Sequence, residues 1–286
     1  MKVLILGKNG QLGQALASEF KKNQHEVFPF SHKTLDVSDK EKVEKVVIKN
    51  KPNAVINATA FHLAASCESD PQKAFAINAT AVKNIAEICS KYGILFVHFS
   101  TDYVFDGRKG SQYVEGDRPN PLQVYGISKY AGEQMAQNYC SDTLIIRTCG
   151  VYGGKRGSRE KGGNFILTIR RQIIGKDILE VSSEQIVSPT YAQDLADATY
   201  RLITKKPKNG LYHLVNEGYC SWAEFAQAIA DELKSKIRII PVDRRGDSGG
   251  ARRPLFSAIK NTKAKKIGVV LPKWQDALSR YIKDLE

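Results

Sequence analysis

The chain has 286 residues, 42% of them hydrophobic, so it can bury a core as one large domain or as two coupled ones. Its first apolar run, residues 2–6, is too short for a signal peptide, and no run approaches the length that crosses a bilayer. The five cysteines form no Cys-x-x-Cys pair, which argues against a disulfide framework or a zinc site and favours a reducing cytoplasm.

The net charge of +13 is concentrated towards the C-terminal end. Residues 234–286 contain 14 Lys or Arg against 5 Asp or Glu, a net charge of +9. Such a surface could bind nucleic acid, but no zinc-finger spacing, RNA-binding aromatic signature or basic-leucine pattern accompanies it. A nucleotide diphosphate would need only a few of these charges. We therefore predict a small anionic partner, and neither nucleic acid nor a membrane.

Apolar runs and amphipathic segments alternate along the chain. The predicted strands are residues 2–6, 26–30, 54–59, 94–100, 143–147 and 211–215. The predicted helices are residues 14–22, 40–49, 71–92, 129–139, 165–174 and 222–233, the last of them with a capping box at Ser221 and Glu224. This alternation is typical of the α/β class and predicts a doubly wound parallel sheet.

The alternation of predicted strands and helices becomes irregular after residue 147, which predicts a second, smaller C-terminal α/β lobe. We assign residues 1–150 plus about 186–215 to the sheet domain, and residues 151–185 and 216–286 to the lobe. Residues 243–254 have no apolar period and are predicted to form a loop.

A glycine-rich turn follows the first strand. Gly7, Gly10 and Gly13 differ by one residue in spacing from the usual dinucleotide fingerprint, and they stand between a predicted strand and a predicted helix. Glycine allows close approach to a pyrophosphate, and the helix N-terminus supplies N–H donors. We predict that this turn, with Asn9, Gln11 and Leu12, binds a dinucleotide.

The ends of the second and third strands supply further candidate cofactor contacts. No acidic residue stands at the end of the second strand, where NAD-binding folds hold the ribose. Ser31, His32 and Lys33 would instead attract a 2′-phosphate, which favours NADP over NAD. The other predicted contacts are Asp36 and Val37 at the adenine, and Ala58, Thr59 and Ala60 at the ribose.

Tyr125 and Lys129 are four residues apart, and on a helix they share a face. Alone, this spacing is typical of a solvated helix surface. Beside a dinucleotide turn it suggests a proton donor with a neighbouring cation, which we expect to lower the phenol pKa. Thr101 closes the strand before this segment, and its hydroxyl could bind the carbonyl oxygen that accepts the proton.

These motifs together resemble the extended short-chain dehydrogenase/reductase family. They are Gly7-x-x-Gly10-x-x-Gly13, the string Ser-Thr-Asp-Tyr-Val-Phe-Asp-Gly at residues 100–107, and Tyr125-Gly-Ile-Ser-Lys129. Further matches are Arg147-Thr148, Gly153, Asn164-Phe165, Glu184-Gln185, Ser188-Pro189-Thr190, residues 210–214, Ser221-Trp222 and Arg253-Pro254. The resemblance covers nearly the whole chain and implies a Rossmann-like sheet.

Within that family the chain looks most like enzymes that reduce the 4-keto group of a nucleotide-linked deoxysugar, dTDP-4-dehydrorhamnose to dTDP-rhamnose. The resemblance implies a catalytic triad of Thr101, Tyr125 and Lys129, with Tyr125 and Lys129 also beside the nicotinamide and its ribose. It further implies a substrate site that contains Asp102, Tyr103, Asn164, Gln185 and Arg253, where the Arg253 guanidinium could clamp a diphosphate. It is also compatible with a homodimer.

Three departures concern the sugar pocket. The family usually has Trp where Gly150 stands, Gly where Val187 stands and Asp where Ala65 stands. Related dehydratases carry an acidic residue where this chain has Tyr103, which disfavours dehydration.

His62 and His98 lack partners at metal-ligand spacing, so packed or hydrogen-bonded histidines are expected and no metal site is predicted.

The hypotheses belong to three classes. The first is an oxidoreductase that uses NADPH, or less favourably NADH, on a nucleotide-linked 4-keto sugar. The second is a non-catalytic, NADP-binding regulatory subunit of the same fold, against which the intact Thr101, Tyr125 and Lys129 argue. The third is a nucleic-acid binder, whose affinity would fall steeply with salt.

Overall fold

The computed structural model describes residues 1–155, 157, 162–243 and 250–286. Residues 244–249, half of the predicted loop at residues 243–254, therefore lie outside the described residues. In the described part of the chain, no helix is both long and apolar enough to span a bilayer.

A six-stranded parallel sheet forms the centre of the molecule, with strand order β10-β5-β4-β3-β1-β2. Its strands are β1 Lys2–Leu6, β2 Glu26–Phe30, β3 Ala54–Asn57, β4 Leu95–Thr101, β5 Thr143–Thr148 and β10 Gly210–His213. Outside this sheet the described chain also contains the strands β6 Val151–Tyr152, β7 Ile178–Ser182, β8 Ile186–Val187, β9 Thr190–Tyr191, β11 Cys220–Ser221 and β12 Arg238–Val242. The order of strands in the sheet confirms the predicted doubly wound α/β fold.

Helices cover both faces of this sheet. The helices of the described chain are α1 Gln11–Lys22, α2 Lys40–Asn50, α3 Ala64–Ser69, α4 Pro71–Phe75, α5 Ala81–Tyr92, α6 Val124–Tyr139, α7 Phe165–Gln172, α8 Ala192–Thr204, α9 Trp222–Glu232, α10 Thr262–Lys266 and α11 Trp274–Leu285. On one face, α1 and α8 bury Leu16, Phe20, Leu195 and Leu202 against the strands. On the other face, α2, α5 and α6 bury their apolar sides in a second cluster.

A third core lies outside the central sheet. It joins α7, α9 and α11 to the parallel pair of β7 and β12, and it contains Ile166, Phe225 and Trp274. The helix α9 begins at the predicted capping box, in which the Ser221 side chain accepts from the Glu224 N–H and the Glu224 side chain accepts from the Ser221 N–H.

The predicted helix at residues 71–92 is interrupted. A π-helical segment, Ala76–Thr80, separates α4 from α5. The carbonyl of Asn78 lies so close to α6 that a Cβ at Gly132 would overlap it. Gly132 therefore lets this π-helical segment pack directly against α6.

Several other boundaries differ from prediction, and two of them are described here because they lie beside the candidate site. The helix α6 begins five residues earlier than predicted, at Val124, because the Gln123 side chain caps it by accepting from the Gly126 N–H. The strand β3 ends two residues early, at Asn57, because the Asn57 side chain accepts a hydrogen bond from the Thr59 N–H and turns the chain.

Candidate active site

The glycine turn lies at the carboxyl edge of the sheet, between β1 and α1. A Cβ at Gly13 would overlap the carbonyl oxygen of Gly7, so only glycine allows the helix to start this close to the strand. The turn is fixed to β2 because the N–H groups of Gly7 and Lys8 both donate to the Phe30 carbonyl at 2.9 Å. The first N–H groups of α1 have no carbonyl within their own helix, which makes them available to an anion.

Gln11, in the first turn of α1, connects this loop to β6 and to the N-terminus of α7. Its Nε2 donates to the Val151 carbonyl at 3.2 Å, and its Oε1 accepts from the Gly153 N–H at 3.0 Å and from Asn164 Nδ2 at 3.1 Å. The side chain that was predicted to contact a dinucleotide thus connects the glycine turn to the lobe. The backbone N–H of Gln11 lies in the first turn of α1, where it can still donate to an anion.

The end of β2 presents two basic side chains. His32 and Lys33 are exposed, whereas Ser31 is buried and its hydroxyl lies 3.2 Å from that of Thr34. Of the two residues predicted at the adenine, Val37 is buried in the apolar cluster of α2 and α5, and Asp36 is exposed. Hydrogen bonds from Ser38 lower the pKa of Asp36.

The chain after β3 is held by buried asparagines. The Asn57 Oδ1 accepts from the Thr59 N–H at 3.1 Å and from the Thr59 hydroxyl at 2.6 Å. Asn78 makes two hydrogen bonds to the backbone of Phe61, both at 2.9 Å, and donates to the Ser128 hydroxyl at 3.0 Å. These bonds tie the predicted ribose-binding segment Ala58, Thr59 and Ala60 to both β3 and α6.

Tyr125 lies beside the turn that follows β4. A Cβ at Gly126 would overlap the Tyr103 carbonyl oxygen, so the glycine lets the start of α6 rest directly on that turn. The rings of Tyr103 and Tyr125 meet edge to face, with their centroids 6.0 Å apart. Burial raises the pKa of the Tyr125 phenol, and hydrogen bonding to Thr101 acts in the opposite direction. The structure thus brings the predicted pair Thr101 and Tyr125 together.

The ammonium group of Lys129 points into the sheet. Lys129 Nζ donates to the Phe99 carbonyl at 2.6 Å and lies 3.2 Å from His98 Nε2. Burial lowers the pKa of Lys129 to about 8. Our expectation that Lys129 lowers the Tyr125 pKa is wrong for this arrangement, because burial of the phenol dominates and the amine faces β4.

The predicted substrate residues fall into two groups. Asp102 is buried, accepts from the Thr101 hydroxyl at 3.1 Å and has its pKa raised by burial. The Arg253 side chain is exposed and lies near Tyr103. Its positive charge therefore opposes the rise that burial causes in the Tyr103 pKa. Thr101, Asp102, Tyr103 and Arg253 therefore converge on one end of the sheet.

Asn164 and Gln185 lie on the lobe side. The Asn164 side chain caps α7 and donates to the Tyr281 hydroxyl at 2.8 Å, so both ends of its amide have partners within the protein. Gln185 stands just before β8 and is partly buried.

Sequence reasoning missed a buried ion pair beneath this site. Arg147 Nε and Nη2 donate to the two carboxylate oxygens of Glu133 at 2.8 and 2.6 Å, and Ser100 also donates to that carboxylate. Both charged side chains are almost fully buried, at 2% and 3% exposure. Glu133 lies one turn beyond Lys129 on α6, and this spacing is the signal that could have drawn attention to it.

A family model described as RmlD substrate binding domain matches residues 1–286. A dTDP-4-dehydrorhamnose reductase of Escherichia coli strain K12 is 35% identical over 301 residues, which cover 100% of this chain and 98% of the relative. The chain belongs to the dTDP-4-dehydrorhamnose reductase family.

Two other relatives match over nearly their whole lengths. The spore coat polysaccharide biosynthesis protein SpsK of Bacillus subtilis is 35% identical, covering 99% of this chain and 97% of that protein. A crystal structure of the family member from Bacillus anthracis in complex with NADP has a TM-score of 0.92, 33% identity and 99% coverage of both chains. The chain therefore shares both the sequence pattern and the architecture of the dTDP-4-dehydrorhamnose reductase family.

Proposed function

We propose that this protein reduces the 4-keto group of dTDP-4-dehydrorhamnose to give dTDP-rhamnose, with NADPH as the reductant. The observation that carries the proposal is the packing of Tyr125 against the Thr101 to Tyr103 turn, at the sheet edge that also bears the glycine turn. The family relationship supports the choice of substrate.

The glycine turn fits a dinucleotide. Gly13 lets α1 begin directly against the Gly7 carbonyl, and the start of α1 offers N–H donors without helical acceptors to a pyrophosphate. The exposed basic side chains of His32 and Lys33 support a 2′-phosphate, and therefore NADPH over NADH. When bound, the reduced nicotinamide supplies the hydride that the carbonyl carbon accepts.

Tyr125 then acts as the general acid. Its raised pKa keeps the phenol protonated at neutral pH, so it can donate a proton to the carbonyl oxygen as the carbon gains the hydride. The Thr101 hydroxyl can bind the same oxygen and stabilise its developing negative charge. The products of this step are a secondary alcohol, the oxidised cofactor and a tyrosinate, which must be reprotonated before the next turnover.

Substrate contacts are proposed in two groups. Tyr103 and Arg253 stand near Tyr125, and the exposed guanidinium supports diphosphate binding. Asp102 acts through Thr101, because its carboxylate accepts a hydrogen bond from the Thr101 hydroxyl. In the proposed lobe, we assign Gln185 as a direct contact and Asn164 as a residue that positions the chain at the start of α7.

Replacement of the phenol tests the mechanism. We expect Tyr125→Phe to retain NADPH binding, followed by fluorescence titration, and to lose about 10²- to 10⁴-fold in kcat. Tyr92→Phe is the matched control, because its hydroxyl donates to Glu44 on the protein surface. Unchanged turnover in Tyr125→Phe would overturn the mechanism.

The same assay separates the alternatives. A non-catalytic regulatory subunit would bind NADPH with no turnover of any nucleotide-linked 4-keto sugar. A clear preference for NADH at equal concentrations would contradict our interpretation of His32 and Lys33.

A further inference from the structure

A buried row of polar side chains leads from β3 to α6 behind the proposed site. Asn57 Nδ2 lies 3.3 Å from His98 Nδ1, and His98 Nε2 lies 3.2 Å from Lys129 Nζ. His98 and Asn57 are 0% and 1% exposed, and Lys129 is 2% exposed. The row is therefore shielded from water, and its hydrogen bonds must be consistent with one another.

The proton positions in this row follow from Thr59. Its backbone N–H can only donate, so the side-chain atom of Asn57 that faces it must be the oxygen. The Asn57 amide nitrogen consequently faces His98 and donates to Nδ1, which must be unprotonated. Burial, followed by the charge of Lys129, holds the pKa of His98 well below its usual range, so the ring is neutral and its single proton is on Nε2.

This tautomer constrains Lys129. An N–H at His98 Nε2 can donate to a neutral amine but not to an ammonium group, which has no lone pair. Among the other neighbours, the Phe99 carbonyl accepts from Nζ, and the Glu133 charge favours the ammonium form. Glu133 is itself paired with Arg147, which weakens that influence.

We propose that His98 is a positioning residue for the reduction proposed above: held by Asn57 in its Nε2–H form, it fixes the Lys129 amine and sets the balance between amine and ammonium. The inference rests on the proposed function for its catalytic consequence. The hydrogen-bond arrangement itself can be measured without any substrate.

The balance between the amine and ammonium forms of Lys129 matters for catalysis because Lys129 is one helical turn from Tyr125. An ammonium group there does not overcome the effect of burial on the Tyr125 pKa, but it would stabilise the tyrosinate that remains after proton donation more than a neutral amine would. Burial places the Lys129 pKa at about 8, so the ammonium form is present below that pH and lost above it. We therefore expect kcat to fall above about pH 8 as Lys129 loses its proton.

Imidazole ¹⁵N NMR tests the arrangement directly. The chain has five histidines, and loss of one signal set in His98→Gln assigns His98. We expect the Nε2–H tautomer at pH 7, with no protonation of the ring down to pH 6 and a shift change near pH 8. The Nδ1–H tautomer, or a doubly protonated ring at pH 7, would overturn the proposal.

Asn57→Asp tests the functional consequence. The carboxylate can still accept from Thr59, but it would also accept from His98 Nδ1, which moves the ring proton to Nδ1 and turns Nε2 into an acceptor for the ammonium group. The alkaline fall in kcat should then move upward by about 1 pH unit. An unmoved profile in a folded variant would overturn the positioning role.

The matched control is Asn53→Asp, just before β3. Its side chain accepts from the Lys2 N–H at 2.7 Å, and it adds the same charge at the opposite end of the strand from His98. The pH profile and the His98 tautomer should both remain as in the unmodified protein. If the unmodified protein reduces none of the sugars, the proposed function fails while the NMR result still decides the arrangement of His98.

Discussion

Removal of one partner from the buried Arg147–Glu133 pair should destabilise the protein strongly. In the unmodified protein, the two carboxylate oxygens of Glu133 accept from the Arg147 guanidinium at 2.8 and 2.6 Å. In Glu133→Gln, one of these guanidinium N–H groups would face an amide N–H instead of an oxygen. The positive charge would remain in a site where Arg147 is only 2% exposed. An uncompensated buried charge of this kind costs about 3–5 kcal/mol in the free energy of unfolding.

Urea denaturation followed by circular dichroism measures that loss. Asp197→Asn is the control, because its partner Arg201 lies on the surface, where breaking an ion pair costs at most about 1 kcal/mol. The double variant Glu133→Leu with Arg147→Met should be more stable than Glu133→Gln alone, because no charge is left unpaired. If Glu133→Gln costs no more than the surface control, the pair is effectively solvated and the reasoning is refuted.

Two further substitutions test the cofactor turn and the lobe. Gly13→Ala should weaken NADPH binding at least 10-fold, by roughly 1.4 kcal/mol or more, because the added methyl overlaps the Gly7 carbonyl. The control is Gly116→Ala, whose Cβ would meet no atom within 4 Å and which should bind NADPH normally in the same titration. Ser221→Ala should lower the free energy of unfolding by about 1 kcal/mol in urea, because it removes the acceptor for the Glu224 N–H, and an unchanged midpoint would contradict this.

The sheet could be predicted from the sequence because its strands are short apolar runs bounded by turns. β1 and β2 match the predicted ranges, and β10 joins the sheet although it follows long after β5. The start of α6 was predicted five residues late, since Val124 to Ser128 carry no helical apolar period and the cap is made by Gln123, an uncommon capping residue.

The site was predictable only in part. The spacing of Tyr125 and Lys129 predicts a shared helix face, but a lysine side chain is long enough to turn inward, and here it reaches the Phe99 carbonyl. His98 was expected to be a packed or hydrogen-bonded histidine, which is confirmed. Its contact with Lys129 joins β4 to α6, and no local pattern encodes a pairing between residues that are 31 positions apart.

The crossing of the chain back into the central sheet limits how the protein can be divided. The helix α8 and the strand β10 both follow the lobe segment that contains β7, yet they cover apolar strand residues such as Ile5 and Ile146. A fragment of residues 1–150 would therefore expose to water the part of that sheet face that α8 covers and leave β5 as an unpaired edge, which favours aggregation. Exchange of the lobe between relatives, as a way of changing sugar specificity, would consequently need junctions on both sides of the α8 to β10 segment.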